Sequence, residues 1–201
     1  MSQVIGVIDY GQAGNIFNIR KVFELAKKEV KIVVVKSGQD LKSVDKIVIP
    51  GVGTYKGAME SIAPFYQELR DKILKVPTLG ICLGMQILSE IGYEFGETPG
   101  LKYFEGAVRL MPVKHPVPHI GWANVEVIRP SKILKGVTAE DVFYFMHSYE
   151  FINYKDVAGL SNYIDHSFVS VVERDQVFGV QFHPEKSRTH GLKIIDNFLS
   201  I

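Results

Sequence analysis

Cysteine is almost absent from this 201-residue chain: the only one is Cys82, so no internal disulfide can form. Long apolar runs are absent too, and nothing approaches the roughly 20 residues a membrane-spanning helix needs. The N-terminus, Met1-Ser2-Gln3 followed by a short apolar run at 4–8, lacks the basic region and apolar stretch of a secretion signal. These absences predict a cytoplasmic protein without a membrane role. Charge of one sign is also missing, since 23 basic side chains face 22 acidic ones for a net charge of +1. No broad field exists to steer nucleic acid or an anionic membrane, so ligands must be recognised locally. Repeats, low-complexity tracts and linkers do not occur. With 46% hydrophobic residues, residues 1–201 are expected to form one domain, since a single core keeps growing up to about 250 residues.

What is present alternates. Residues 4–8, 32–35, 47–49 and 78–81 are short runs rich in β-branched side chains, the pattern of strands buried on both faces of a parallel sheet. Between them, Ile16, Ile19, Val22, Phe23 and Ala26 recur at helical spacing, as do Phe65, Leu69, Ile73 and Leu74. From 108 to 174 the texture changes to short strands broken by Pro112, Pro116, Pro118 and Pro130, with 142–146 and 168–172 the clearest. A last apolar strand at 177–181 runs into His183-Pro184-Glu185, and Leu192, Ile195 and Leu199 mark a closing helix. The expected fold is a three-layer α/β domain with a mainly parallel, flavodoxin-like sheet and some antiparallel strands in the second half. Its site would lie beyond the carboxyl ends of the strands.

Cys82 sits between the strand at 78–81 and a helix expected over 83–90, inside Gly80-Ile81-Cys82-Leu83-Gly84. This G-x-C-x-G spacing matches the strand-to-helix elbow that presents a serine nucleophile in other enzymes, where flanking glycines let backbone pass without a Cβ clash. A lone cysteine is more often a small buried hydrophobe. Here the elbow favours a nucleophile, because the unpaired N–H groups of a helix start stabilise a thiolate and the Leu83 N–H can serve an oxyanion. His183 supplies a proton acceptor for the thiol and a donor for a departing amine. Glu185, two residues on in an extended segment, would project to the same side and fix the imidazole tautomer.

These motifs, extended to Gly80-Ile81-Cys82-Leu83-Gly84-Met85-Gln86 and Gln181-Phe182-His183-Pro184-Glu185, resemble the class I, triad-type glutamine amidotransferases. Within that class, Ile8-Asp9-Tyr10-Gly11, Pro50-Gly51-Val52-Gly53, Pro118-His119-Ile120-Gly121-Trp122 and His147-Ser148-Tyr149 are similar to the glutaminase subunits of imidazole glycerol phosphate synthases. The resemblance covers nearly the whole chain. It departs from the pattern at Gly11-Gln12-Ala13-Gly14-Asn15, one residue longer than expected, and at Trp122-Ala123-Asn124, where asparagine would directly follow the tryptophan. The resemblance implies a triad of Cys82, His183 and Glu185, an oxyanion hole from Leu83 and the Val52-Gly53 segment, and glutamine contacts from Gln86, Glu94, Ser148 and Tyr149. It also implies a (β/α)8-barrel cyclase partner in histidine biosynthesis, which would receive ammonia directly, and no cofactor. A Val52 peptide that turns to supply or withhold a donor would act as a switch, since one oxyanion donor is worth about 3–4 kcal/mol. Glycines on both sides would ease that turn.

Several other signals lead nowhere. His115 and His119 are four residues apart, but Pro116 and Pro118 preclude the helix that would make them a metal pair. Gly51, Gly53 and Gly57 lack dinucleotide spacing, and no lysine follows a phosphate-binding glycine loop. His147 and Trp122 read equally well as core residues or as neighbours of substrate and partner. The competing functions are a glutaminase serving pyridoxal phosphate, anthranilate or carbamoyl phosphate synthesis, a cysteine peptidase with a similar elbow, and a non-catalytic binding subunit.

Overall fold

The apolar runs of the first half pair with one another because each is too uniformly hydrophobic to offer a face to water. A computed structural model describes residues 2–11, 13–152 and 155–201. The first half contains β1 (Gln3–Ile8), α1 (Ala13–Glu24), β2 (Val30–Val35), β3 (Lys46–Ile49), α2 (Tyr55–Ile62), α3 (Tyr66–Ile73), β4 (Thr78–Ile81) and α4 (Leu83–Gln86). Then follow β5 (Ile91–Gly92), β6 (Thr98–Pro99), β7 (Ala107–Leu110), β8 (His119–Asn124), β9 (Glu126–Val127), β10 (Val142–His147) and β11 (Tyr149–Ile152). The chain closes with β12 (Val157–Tyr163), β13 (His166–Arg174), β14 (Val177–Val180) and α5 (Arg188–Leu199).

The main sheet has eight strands in the order β2-β1-β3-β4-β14-β13-β12-β9. Pairing is parallel from β2 through β14 and antiparallel from β14 to β9. The parallel part has the flavodoxin-like order, and every residue of β3, β4 and β14 is buried. One face packs Ile5, Val7, Val48 and Leu79 against Ile19 and Phe23 of α1 and Ile194, Ile195 and Phe198 of α5. The other packs Ile8, Ile47 and Ile49 against Ala58 and Ile62 of α2 and Leu69 and Ile73 of α3. Two smaller sheets, β10-β8 and β11-β7-β5-β6, complete the fold and bring Met146, His147 and Tyr149 to the cavity that Cys82 borders. Among the described residues, no helix is long and apolar enough to cross a membrane.

The helix after Cys82 is shorter than its sequence suggests, ending at Gln86 rather than reaching 90. The donors that would continue it are diverted: Leu88 and Ser89 N–H reach back only three residues, to Met85 O at 3.2 Å and Gln86 O at 3.0 Å, and Glu90 N–H donates to Gly106 O at 3.0 Å. Tertiary pairing outcompetes helical propensity there. Helix α2, outside the periodic runs singled out above, buries Tyr55, Ala58, Met59 and Ile62 and is started by Thr54, whose side chain accepts from Gly57 N at 3.1 Å. The departure at Trp122-Ala123-Asn124 lies inside β8, where all three pair in unbroken register with Tyr144, Phe143 and Val142, so Ala123 is an ordinary strand residue. In the other departure, at 11–15, Gln12 lies outside the described residues.

Candidate active site

β4 delivers Cys82 to the carboxyl edge of the sheet in a backbone conformation that L-residues avoid, φ 48° and ψ −108°. Such a conformation costs on the order of 1–3 kcal/mol and persists only where surroundings enforce it. The Cys82 N–H donates to Val180 O at 2.7 Å, and its carbonyl accepts from Gln86 N at 3.0 Å. The flanking glycines are dictated by space: a Cβ at Gly84 would lie 1.9 Å from Ile49 O, and one at Gly80 would lie 2.6 Å from Gly84 O. Gly51 is equally confined, with Ile81 O 2.4 Å and the Cys82 Cβ 2.6 Å from where its own Cβ would be. The elbow is locked between the ends of β3, β4 and β14.

His183 follows β14, held by its N–H to Tyr144 O at 2.8 Å and by Ser187 Oγ donating to its carbonyl at 2.7 Å. Its Nδ1 lies 2.8 Å from Glu185 Oε1, with both side chains fully buried. A carboxylate only accepts, so Nδ1 carries the proton and Nε2 is left for Cys82. Glu185 stands beside His183 as expected, but strand alternation is not the cause. Pro184–Lys186 is a turn of 3₁₀ helix that folds Glu185 back onto the ring. Burial opposes charge on His183, yet the Cys82 thiolate and the Glu185 carboxylate outweigh it and push the imidazolium up to about 10. Nε2 has no well-aligned hydrogen bond, so its coupling to sulfur rests on charge more than on a formed bond.

Cys82, Gln86, Glu94, Ser148, Tyr149, Val52, Gly53 and Leu83 all border one cavity of about 360 Å³, so the expected site residues converge. Among the described residues, the N–H groups of Val52, Gly53 and Leu83 donate to no protein acceptor, leaving them available to an anion. Only one of the two glycines flanking Val52 has freedom: Gly53, at φ 103°, has its nearest neighbour at 3.9 Å, whereas Gly51 is pinned by Ile81 and Cys82. Gln86 lies on the cavity floor, its Nε2 donating to Tyr149 O at 3.0 Å and to Gln181 Oε1 at 3.1 Å. Glu94 is fixed by the N–H of Tyr55, at 2.6 Å, at the start of α2. Burial, and then the Glu94 charge, raise the Tyr149 phenol.

His147 lines the cavity, its Nδ1 2.9 Å from Tyr149 O. Burial pushes it down to about 3, so it is a neutral acceptor at Nε2. Trp122 is 43% exposed on β8 beneath the Arg188 guanidinium and belongs to the surface. His115 pairs with Asp165, and His119 stacks between Phe145 and Tyr163. Gln181 opens the motif that ends at Glu185, and residue type alone assigns it no role. In the fold it is fully buried, with Nε2 3.4 Å from Cys82 Sγ. A polar residue ending an all-apolar run was the available signal, since buried polar groups need partners.

The family model of the class-I glutamine amidotransferases matches residues 7–201, and the chain belongs to that family. Among its relatives is the imidazole glycerol phosphate synthase subunit HisH of Methanocaldococcus jannaschii, 40% identical over 201 residues that cover 98% of this chain and 100% of the relative. HisH 1 of Campylobacter jejuni is 38% identical, covering 97% of this chain and 98% of its own. The solved structure of PurLQS from Thermotoga maritima superposes with a TM-score of 0.72 at 16% identity, covering 100% of this chain and 99% of that one. It shares the fold.

Proposed function

We propose that residues 1–201 act as a single glutaminase domain, the ammonia-producing subunit of an imidazole glycerol phosphate synthase. The observation that carries this reading is a strained cysteine beside a buried imidazole–carboxylate pair, in a cavity with three unengaged backbone donors. The full-length similarity to HisH subunits supports the choice of synthase over the pyridoxal phosphate, anthranilate and carbamoyl phosphate alternatives.

In this mechanism Cys82 sulfur attacks the side-chain amide carbon of glutamine. Negative charge collects on the amide oxygen, where Leu83 and the Val52-Gly53 segment donate hydrogen bonds. His183 gives its Nε2 proton to the departing nitrogen, ammonia leaves, and a glutamyl thioester remains. Water, deprotonated by His183, then releases glutamate and restores the thiol. Glu185 holds the tautomer throughout. Glu94 presents its carboxylate to the substrate ammonium group, while Ser148, Tyr149 and Gln86 orient the rest. No cofactor enters this chemistry.

Free ammonia is mostly protonated near neutral pH, so the product must be handed on without release. The receiving partner is a (β/α)8-barrel cyclase in the cytoplasm. Ile120 and Trp122, 59% and 43% exposed on β8 beside the cavity, offer an apolar surface for it. The test is glutamate release by this chain alone, with a cyclase subunit, and with that subunit plus its nucleotide ligand. A large rise across the series supports the reading, and equal turnover in all three rejects coupling to a cyclase.

A further inference from the structure

We infer that Gln181 is the hydrogen-bond donor that holds the Cys82 sulfur as a thiolate, and that its orientation is enforced by a chain of amides running to the substrate wall. This rests on the reading of Cys82 as nucleophile. The orientation follows from the far end. Tyr149 O can only accept, so the Gln86 group 3.0 Å from it must be the NH₂. The same nitrogen lies 3.1 Å from one terminal atom of Gln181, which must therefore be the oxygen. The remaining terminal atom of Gln181, 3.4 Å from Cys82 Sγ, is then nitrogen and points a proton at sulfur. Reversing Gln86 would set its oxygen against Tyr149 O and Gln181 Oε1, and reversing Gln181 would set two NH₂ groups against each other and an oxygen against sulfur, in a site where Gln181 is 0% and Gln86 6% accessible.

The other neighbour of the sulfur acts in the opposite sense. Met146 O, 3.8 Å from Sγ, can accept from a thiol but repels a thiolate. Gln181 faces that carbonyl dipole with a donor and, unlike His183, remains a donor whether or not a proton has been transferred. The relay also engages both Gln86 protons, leaving only its Oε1 free for substrate. Gln86 can accept from glutamine but cannot donate to it.

The experiment is the pH dependence of Cys82 alkylation by iodoacetamide, read by mass spectrometry of the Cys82 peptide, in the full chain and three variants. Gln181→Glu retains an acceptor for Gln86 but places a carboxylate oxygen at the sulfur, so it removes the donor while keeping the structural half of the relay. Gln181→Met keeps the size and removes both bonds. The alkylation midpoint should rise by roughly one pH unit in Gln181→Met and further in Gln181→Glu. Glutaminase activity at pH 7 should fall about tenfold or more, recovering as pH rises. Unchanged midpoints in both variants, with unchanged thermal midpoints, would overturn the donor role. A normal midpoint in Gln181→Glu with a shifted one in Gln181→Met would also overturn it, leaving Gln181 only a packing role for Gln86. Gln86→Leu, which unties the far end, should shift the midpoint less than either. If complete alkylation of Cys82 leaves glutamine hydrolysis intact, the nucleophile reading itself fails, whatever the midpoints do.

Discussion

The two sides of the cavity are built differently. On the nucleophile side, Gly84, Gly80 and Gly51 sit so close to neighbouring backbone that a methyl group would fall 1.9, 2.6 and 2.4 Å from a carbonyl oxygen. Around the rest of the wall, Glu94, Ser148 and Tyr149 arrive on loops and a small separate sheet, and Gly53, two residues beyond Gly51, has nothing closer than the Leu83 side chain at 3.9 Å. Cys82 is thus held by three parallel strands that cannot yield, while the proposed donor at Gly53 and the proposed substrate contacts have room to adjust. On the proposed function, coupling ammonia release to a waiting acceptor would act through the part that can move.

Substitutions can break this contrast. The largest effect is expected at Gly84→Ala, where the new methyl group must displace Ile49 backbone. Overpacking of this kind costs about 1–3 kcal/mol or more, and glutamine hydrolysis should vanish with a lowered thermal midpoint. Next comes His183→Ala, which should remove nearly all hydrolysis while the fold survives. Glu185→Gln should be milder than His183→Ala, because an orienting group transfers no proton, and assays of glutamate release will rank them. Equal small effects from both would point to another base. Gly53→Ala should lower the thermal midpoint less than Gly84→Ala, since φ 103° strains alanine but no atom stands in its way, and should lower cyclase-stimulated turnover. If Gly53→Ala destabilises as much as Gly84→Ala, the distinction between the two sides collapses.

The smallest effect lies away from the cavity, where Asp141 joins the antiparallel part to α5. Burial works against its charge, but hydrogen bonds from Lys193, His190 and the Thr138 N–H hold the carboxyl well below its usual range. A carboxyl depressed in the fold stabilises above its unfolded value of about 4, and that stabilisation is lost as pH falls below it. Asp141→Asn should lower the thermal midpoint at pH 7 by roughly 2–4 °C, and the deficit should shrink toward pH 3. A deficit independent of pH would assign the effect to packing.

The same contrast decides what could be read from residues alone. Strand β4 was legible to its ends because an apolar run meets a turn at both, and the elbow followed from three residue types at fixed spacing. Helix α2 was legible too, in Tyr55, Ala58, Met59 and Ile62 at helical spacing behind the cap Thr54, with only Gly57 against it. The overlong helix after Cys82 reflects propensity that Gly106 overrides from a distance, by accepting from the Glu90 N–H. Glu185 meets the His183 ring through a 3₁₀ turn, which strand alternation does not predict. Gln181 needed the fold, because its partners Cys82 and Gln86 are 99 and 95 residues away in sequence.

The central claim, that Cys82 makes ammonia for a second active site, is tested most directly by Cys82→Ala in complex with a cyclase subunit. Cyclase product should form at the parental rate from added ammonium and not at all from glutamine, with no glutamate released. Product and glutamate formed from glutamine by that variant would contradict the assignment of Cys82.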